Sequence, residues 1–145
     1  MIIIVCIDSK NGMAFNGRRQ SRDRILRQRV LSLAGTKKLW MNAYSAKQFA
    51  DEASDCIVTD EQFLEHAGPG EYCFVENQEV SPHLPRIEGI ILYRWNRTYP
   101  SDFCFTADLA EWKLEQTADF PGSSHERITE EIYGRGTCGP GAEVS

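Results

Sequence analysis

Length, composition and charge describe a single-domain chain and exclude a membrane-spanning protein. The 145 residues are 41% apolar and 26% charged, a balance that allows a core to be buried without metal or disulfide support. No stretch approaches the roughly 20 apolar residues that a membrane span needs, and the opening residues MIIIVCID lack the basic start of a secretory signal. Five scattered cysteines, an odd number, favour reduced thiols in a cytoplasmic protein over a disulfide framework.

The two parts of the chain carry opposite charge. Residues 1–50 hold ten Lys and Arg against two acids (net +8), whereas residues 51–145 hold six against nineteen (net −13). Such a split indicates either an anion-binding surface on the basic part or two parts that neutralise each other on folding. Six arginines fall within residues 16–35, NGRRQSRDRILRQRVLSLAG, where Asp23 is the only acid.

The first 35 residues predict a strand, a loop and a helix. The β-branched run at residues 2–8 indicates a buried strand, which is ended by the turn signal of Asn11 and Gly12. An irregular segment follows, and a leucine-faced helix then begins with Ser21 as its N-cap and ends before Gly35.

The middle of the chain continues this alternation of strands and helices. A short helix is expected around residues 44–53, and a capping box at Thr59 and Gln62 predicts another helix that stops at Gly68. Apolar runs predict three further strands, at residues 38–41, 71–76 and 89–96.

The end of the chain has the alternating pattern of a β-hairpin. Residues 111–119 and 127–133 alternate apolar and polar side chains on either side of a polar loop, FPGSSHE. Residues 135–145 are rich in glycine and predict a flexible tail. The order of elements predicts one α/β domain over residues 1–134, with a mostly parallel sheet flanked by helices and an antiparallel C-terminal hairpin.

Asp23 falls on the apolar side of the predicted helix rather than on its solvated side. At about 100° per residue, its side chain shares an arc with Leu26 and Val30. Three interpretations follow: the carboxylate stabilises the helix N-terminus, pairs with Arg27 one turn later, or lines a pocket.

The layout of residues 1 to about 134 resembles the dihydrofolate reductase family. IIIVCIDSKNGMAFNGRRQSRDRIL is similar to the family's first strand, glycine-containing loop and helix with one catalytic acid, and Asp23 matches that acid. ILYRWNRTYPSDFCFTAD resembles a later strand and its acidic, aromatic segment, with Asp102 and Phe105 in the matching places. EWKLEQTADFPGSSHERITEEIY, opened by Trp112, resembles the terminal hairpin. The resemblance implies a dihydrofolate reductase-like fold and, for a reductase, an NADPH cofactor.

The chain is also similar to short, uncharacterised bacterial proteins that are sometimes labelled ribonuclease Z. That activity would need the metal signature HxHxDH, which the sequence lacks. His66, His83 and His125 lie far apart without ligand spacing, so no metal site is expected. Ser123, Ser124 and His125 are interpreted as a hairpin loop, because adjacent residues of a polar loop point in different directions.

The motifs that would bind the cofactor are missing. Where the family has a Gly-Gly pair that lets backbone N–H groups approach a pyrophosphate, residues 76–79 read Glu-Asn-Gln-Glu. The family's arginine after the second strand is absent from residues 41–45, so no cofactor is expected. The short linker that follows predicts the loss of one strand of the usual sheet. The threonine that partners the family's acid is replaced by Tyr93, whose hydroxyl could reach Asp23.

We therefore expect a protein that is not a reductase and that binds a small ligand or a partner in a pocket at Asp23, with catalysis left open. Asp23 is the candidate catalytic residue and the candidate acceptor for an amino-heterocycle or cationic ligand. Arg18, Arg19 and Arg22 are the candidate anion-binding group, because the planar guanidinium suits bidentate recognition. The predicted pocket is lined by Ile4, Cys6, Asp23, Arg27, Trp40 and Tyr93.

Two alternatives stay open beside this expectation. One is a diverged NADPH-dependent oxidoreductase of the dihydrofolate reductase type. The other is a nucleic-acid or anion interface along residues 18–29, with Phe15, Trp40 or Tyr44 stacking a base, although a pI near 5.2 is low for a nucleic-acid binder. A protein partner is also compatible with the sequence, which does not identify one.

Overall fold

The computed structural model describes residues 1–52 and 54–135, which form a mixed α/β structure. Within these residues the α-helices are α1 (Arg24–Ala34), α2 (Ala43–Lys47) and α3 (Phe63–His66). The strands are β1 (Ile2–Ile7), β2 (Gly12–Phe15), β3 (Arg18–Arg19), β4 (Leu39–Met41), β5 (Ile57–Thr59), β6 (Tyr72–Val75), β7 (Gly89–Arg94), β8 (Phe103–Cys104), β9 (Trp112–Phe120) and β10 (Ile128–Arg135). Short 3-10 helices span Ser81–Arg86 and Leu109–Glu111.

Seven strands form the central sheet, in the order β5-β4-β6-β1-β7-β10-β9. The first five strands of this order pair in parallel, whereas β10 runs antiparallel to both β7 and β9. The predicted fold class is confirmed: the sheet is mostly parallel, and β9 and β10 form the antiparallel C-terminal hairpin.

Both faces of the central sheet are covered, which is why β1 is apolar along its whole length. Ile3, Ile4 and Val5 are each 0% exposed. Ile4 packs on one face with Leu26 and Val30 of α1. Ile3 and Val5 pack on the other face, in the cluster that includes the apolar residues of α3.

A second sheet has the order β3-β2-β8, and its strands β2 and β3 lie where the sequence predicted an irregular segment. β2 and β3 form a hairpin in which Phe15 pairs with Arg18 and Ala14 pairs with Arg19. The two residues between them, 16 and 17, have φ angles of 53° and 72°, as a type I′ hairpin turn requires. This hairpin fixes both arginines just before α1 begins.

Two predicted helix starts are wrong. The N-cap of α1 is Asp23 rather than Ser21, because the Asp23 carboxylate accepts hydrogen bonds from the first turn of the helix. The capping box is also wrong, since Thr59 ends β5 and α3 begins after Gln62, which makes no side-chain cap bond. The helix expected around residues 44–53 is shorter and is represented by α2.

Four cysteines of the described residues, Cys6, Cys56, Cys73 and Cys104, are free thiols. None of the helices in this part of the chain is long and apolar enough to cross a membrane. Of the predicted flexible tail, Arg135 is the last residue of β10, and residues 136–145 lie outside the described residues. The expected loss of one sheet strand stays a prediction.

Candidate functional site

The candidate site is built around Asp23, which caps α1 from a buried position. Asp23 has extended backbone (φ −153°, ψ 129°) and is 1% exposed. Its Oδ1 accepts hydrogen bonds from the backbone N–H groups of Ile25 (2.9 Å) and Leu26 (3.2 Å), which the helix itself leaves without partners.

The loop of the C-terminal hairpin closes over the same carboxylate. The N–H of Ser123 donates to Oδ1 (3.0 Å), and the N–H of Ser124 donates to Oδ2 (2.8 Å). His125 Nδ1 lies 3.0 Å from Oδ2. Gly122 permits this approach, because a Cβ at that position would lie 2.4 Å from Asp23 Oδ2.

These five hydrogen bonds keep Asp23 ionised. Burial alone would raise the pKa of Asp23, but the N–H groups of Ser123 and Ser124 and the His125 ring outweigh burial and hold that pKa well below its usual range. Of the three sequence interpretations, stabilisation of the helix N-terminus is the one that the contacts bear out. Pairing with Arg27 is wrong, because Arg27 Nε donates to Glu52 (2.6 Å).

His125 connects the buried carboxylate to two hydroxyl groups. Its ring is 5% exposed and stacks on Trp95, with the ring centroids 4.4 Å apart. Because ionised Asp23 can only accept, Nδ1 carries a proton, and in the neutral ring this leaves Nε2 as the acceptor that faces the hydroxyls. Nε2 lies 3.0 Å from Ser21 Oγ and 3.1 Å from the hydroxyl of Tyr99.

Asp8, at the end of β1, positions the segment that carries Tyr99. Its carboxylate accepts from the backbone N–H groups of Tyr99 (3.0 Å) and Gly12 (2.7 Å) and from the Gln20 side chain (3.1 Å). Asp8 is 1% exposed. Burial opposes ionisation, but these donors hold the pKa of Asp8 below its ordinary value.

Ser21 opens onto a cavity of about 860 Å³, which we call the arginine cavity. Its wall is formed by Asn16, Gly17, Arg18, Arg19, Ser21, Arg22, Tyr44 and Ser124. A second cavity of about 490 Å³ shares part of this wall and adds Phe15 and Tyr99. The structure therefore brings together the three arginines predicted to bind an anion, and His125 lies behind hydroxyls from both cavities.

The three arginines differ in how they are held. Arg19 donates to Glu76 through Nε (2.8 Å) and Nη2 (3.1 Å), and its guanidinium lies 4.3 Å from the centroid of the Tyr44 ring. Arg18 and Arg22 are exposed, and neither belongs to an ion pair within the described residues. Arg18 and Arg22 therefore supply the uncompensated positive charge of the cavity wall.

The comparisons with known proteins bear on the fold. No family model matches this chain, and no curated protein matches it. Among solved structures, the dihydrofolate reductase from Enterococcus faecalis complexed with NADP(H) and RAB-propyl is similar over 94% of this chain and 96% of that chain, with a TM-score of 0.67. The chain has a dihydrofolate reductase-like fold. The sequence identity is 12%, so this likeness concerns the fold alone.

On this dihydrofolate reductase-like scaffold, Ile4, Cys6 and Tyr93 of the predicted pocket lie together in one cluster, outside the wall of the arginine cavity. Ile4 and Tyr93 are each 0% exposed, and Trp40 packs against the cluster on the opposite face of the sheet from Ile4. The expected reach of Tyr93 to Asp23 is wrong, because the Tyr93 hydroxyl donates to buried Glu130 (2.7 Å).

Cys6 and Arg27 are likewise outside the wall of the arginine cavity. Burial, assisted by the charge of Glu76, raises the pKa of the Cys6 thiol well above its ordinary value, so the thiol stays neutral. Arg27 pairs with Glu52 at 2.6 Å. No group of three or more metal-ligand side chains comes together among residues 1–52 and 54–135.

The sequence interpretation missed the role of His125. Ser123, Ser124 and His125 lie in a loop, as predicted, but the two hydroxyls that His125 meets belong to Ser21, 104 positions away, and to Tyr99. No local pattern reports a pairing at that separation. The sequence feature that comes closest to predicting this contact is Gly122, directly before three polar residues. A glycine there indicates that another group approaches the backbone closely, but it does not identify that group.

Proposed function

We propose that this protein binds a small organic anion, carrying carboxylate or phosphate groups, in the arginine cavity, and that it is not an NADPH-dependent reductase. The observation that carries the proposal is the convergence of Arg18, Arg19 and Arg22 on one cavity beside the hydroxyls of Ser21 and Tyr44. Guanidinium forks and hydroxyl donors are the groups that recognise planar or tetrahedral oxyanions.

The wall of the cavity is pre-organised, which favours binding because little order has to be imposed on the protein. Glu76 and the Tyr44 ring hold Arg19 from two sides, and the Tyr44 hydroxyl accepts from the Arg19 backbone N–H (2.9 Å). The type I′ turn and the start of α1 fix the backbone on which Arg18 and Arg22 stand.

The distribution of the other arginines favours a small anion over nucleic acid. Arg27 is paired with Glu52, and Arg29 donates to Glu130 through two bonds of 2.8 and 3.0 Å. Of the three arginines on α1, two are thus neutralised by carboxylates, and α1 lacks the continuous positive stripe that tracks phosphates. A formal net charge of −5 also opposes non-specific attraction to nucleic acid.

The environment after β6 supports the absence of reductase activity. The family resemblance implies a glycine pair there, but Glu76 is 9% exposed and accepts from Arg19, Ser45 and Gln48. A buried carboxylate held by three donors does not fit a dinucleotide pyrophosphate, because the two negative charges would repel.

The face of α1 that packs on the sheet gives a second argument against reduction. Its buried residues are Leu26, Val30 and Ala34, so that face offers no side chain able to hold or move a proton. Asp23 instead keeps its charge at the helix N-terminus, where both of its oxygens are already engaged.

A thermal-shift titration of the full chain tests this proposal. Pyrophosphate and citrate serve as anion probes, with NADPH and the antifolate methotrexate run in parallel. A ligand at a hundredfold excess over its Kd stabilises the native state by about 2.7 kcal/mol. We expect a saturable shift with at least one anion probe, weakening as salt is raised, and none with NADPH.

Two variants sharpen the titration. Replacing Arg18 and Arg22 together with Ala is expected to remove the anion shift, whereas Arg24→Ala is the matched control, since Arg24 is exposed on α1 and does not line the cavity. A shift with NADPH would restore the diverged reductase. An anion shift that survives the double substitution would place the site elsewhere.

A further inference from the structure

The contacts of Ser21, His125 and Asp23 follow the order of a nucleophile, a base and a residue that orients the base. Ser21 Oγ lies 3.0 Å from His125 Nε2, and His125 Nδ1 lies 3.0 Å from Asp23 Oδ2. Nδ1 of the ring therefore contacts the buried Asp23 carboxylate, and Nε2 contacts a hydroxyl on the cavity wall.

His125 is held more firmly than closure of a loop requires. Trp95 stacks on one face of its ring, and the Asp23 carboxylate fixes the proton on Nδ1. Asp23 is in turn fixed by four backbone N–H groups from α1 and the hairpin loop. A base whose ring plane and tautomer are both fixed is the arrangement that proton transfer needs.

We infer that Ser21, His125 and Asp23 form a catalytic relay on the wall of the arginine cavity, and that the protein hydrolyses a carboxylic ester that carries an anionic group. This inference rests on the proposed function, because the cavity that would bind the anion is the one that Ser21 faces. Ser21 and His125 are the catalytic residues, and Asp23 is a positioning residue.

The first half of the reaction forms an acyl-enzyme. Ser21 Oγ attacks the carbonyl carbon of the ester while His125 Nε2 takes the hydroxyl proton, and the C=O electron pair moves onto oxygen. The cationic side chains of Arg18 and Arg22 line the same cavity and favour that negative charge. Collapse breaks the bond to the alcohol, which leaves with the proton from His125.

The second half releases the acid. Water attacks the acyl carbon and gives a proton to His125 Nε2. Collapse of this intermediate breaks the bond to Ser21 Oγ, which takes the proton back from His125 and restores the starting hydroxyl. The net change is one ester and one water converted to one acid and one alcohol, with no other reactant.

Tyr99 presents a second hydroxyl to the same nitrogen, at 3.1 Å. Tyr99 faces the second cavity, whereas Ser21 faces the arginine cavity. We assign the attack to Ser21, since Ser21 shares its cavity with Arg22, whereas Tyr99 lines the second cavity.

Covalent labelling of the full chain with phenylmethylsulfonyl fluoride tests the nucleophile. The hydroxyl displaces fluoride, and peptide mass spectrometry locates the adduct. We expect one adduct, on Ser21, which Ser21→Ala removes. Ser32→Ala, which replaces an exposed serine of α1, is the matched control and is expected to label as wild type. An adduct on Tyr99, or scattered adducts on several serines, would overturn the assignment.

The base and the positioning residue are tested by labelling rate. His125→Gln is expected to slow labelling by on the order of 10²–10⁴. Asp23→Asn is expected to slow it similarly and to change the pH profile of the labelling rate. A purely structural role would lower the thermal midpoint of these variants while leaving the labelling rate of the folded fraction unchanged, which would overturn the relay.

Turnover of a matched ester pair separates this inference from the proposed function. We expect 4-acetoxybenzoate, an anion, to be hydrolysed with a kcat/KM on the order of tenfold above its neutral methyl ester. Saturable anion binding with no adduct on Ser21 would retain the binding site and overturn the relay. An adduct on Ser21 with no preference for the anionic ester would retain the nucleophile and overturn anion binding.

Discussion

Replacing Asp23 with Asn separates the capping role of this residue from its role in holding the hairpin loop. Asn is about as good an N-cap as Asp, so an amide oxygen in place of Oδ1 preserves the bonds from Ile25 and Leu26. The amide NH2 then replaces Oδ2, which accepts from the N–H of Ser124 and from Nδ1 of His125. Because the NH2 is itself a donor, both of these hydrogen bonds are lost.

The expected cost follows from those two contacts. A hydrogen bond to a charged group contributes about 1.5–3 kcal/mol, and a buried donor left without a partner costs about 1–3 kcal/mol. His125 can recover its contact by moving its proton to Nε2, but the N–H of Ser124 cannot change. We therefore expect Asp23→Asn to lower the free energy of unfolding by about 2–4 kcal/mol.

Urea unfolding at neutral pH, followed by tryptophan fluorescence, measures this difference. The matched control is Asp108→Asn, because Asp108 is an exposed N-cap whose carboxylate accepts from the N–H of Ala110 (2.9 Å). The control is expected to stay within about 0.5 kcal/mol of wild type. A loss below about 0.5 kcal/mol for Asp23→Asn would show that the loop does not depend on the Asp23 charge.

Three further predictions concern stability. Gly122→Ala places a Cβ 2.4 Å from Asp23 Oδ2, so it is expected to cost about 1–3 kcal/mol in urea unfolding, and a neutral result would contradict the close approach. Tyr93→Phe removes a donor from buried Glu130 and is expected to cost about 1–3 kcal/mol, whereas an unchanged midpoint would mean that the bond contributes nothing. The pKa values of Asp8 and Asp23 are lower in the folded state, so their contribution is complete above about pH 4 and is lost as the pH falls. Thermal melts from neutral to acid pH measure this loss of stability. Asp8→Asn is expected to make the fall in melting temperature at acid pH less steep.

The parts of the fold that were predictable are those whose sequence pattern is long enough to be unambiguous. β1 and β7 are apolar runs, and the alternation at residues 111–119 and 127–133 marks the terminal hairpin. Two- and three-residue strands such as β3 and β5 carry no such pattern, because their existence depends on partners that are distant in sequence.

The misplaced N-cap of α1 has a similar cause. Ser21 and Asp23 are both favourable caps, and local propensity does not choose between them. The loop at Ser123 and Ser124 makes the choice, since its N–H groups supply the donors that make a buried carboxylate favourable at Asp23. The helix boundary is thus set by a segment about 100 residues away.

The site was predictable where its residues are neighbours in the chain. Arg18, Arg19 and Arg22 lie within five positions, so any fold brings them close together. The contact between Ser21 and His125 requires the terminal hairpin to close over α1, which follows from tertiary packing and not from spacing.

The most direct test of the arginine cavity is an amide NMR titration of the full chain with the anion probe that gives the larger thermal shift. We expect saturable perturbations at residues 16–22 and at Tyr44 and Ser124, while NADPH leaves residues 76–79 unperturbed. Perturbations that saturate elsewhere, or a response to NADPH at residues 76–79, would contradict the account.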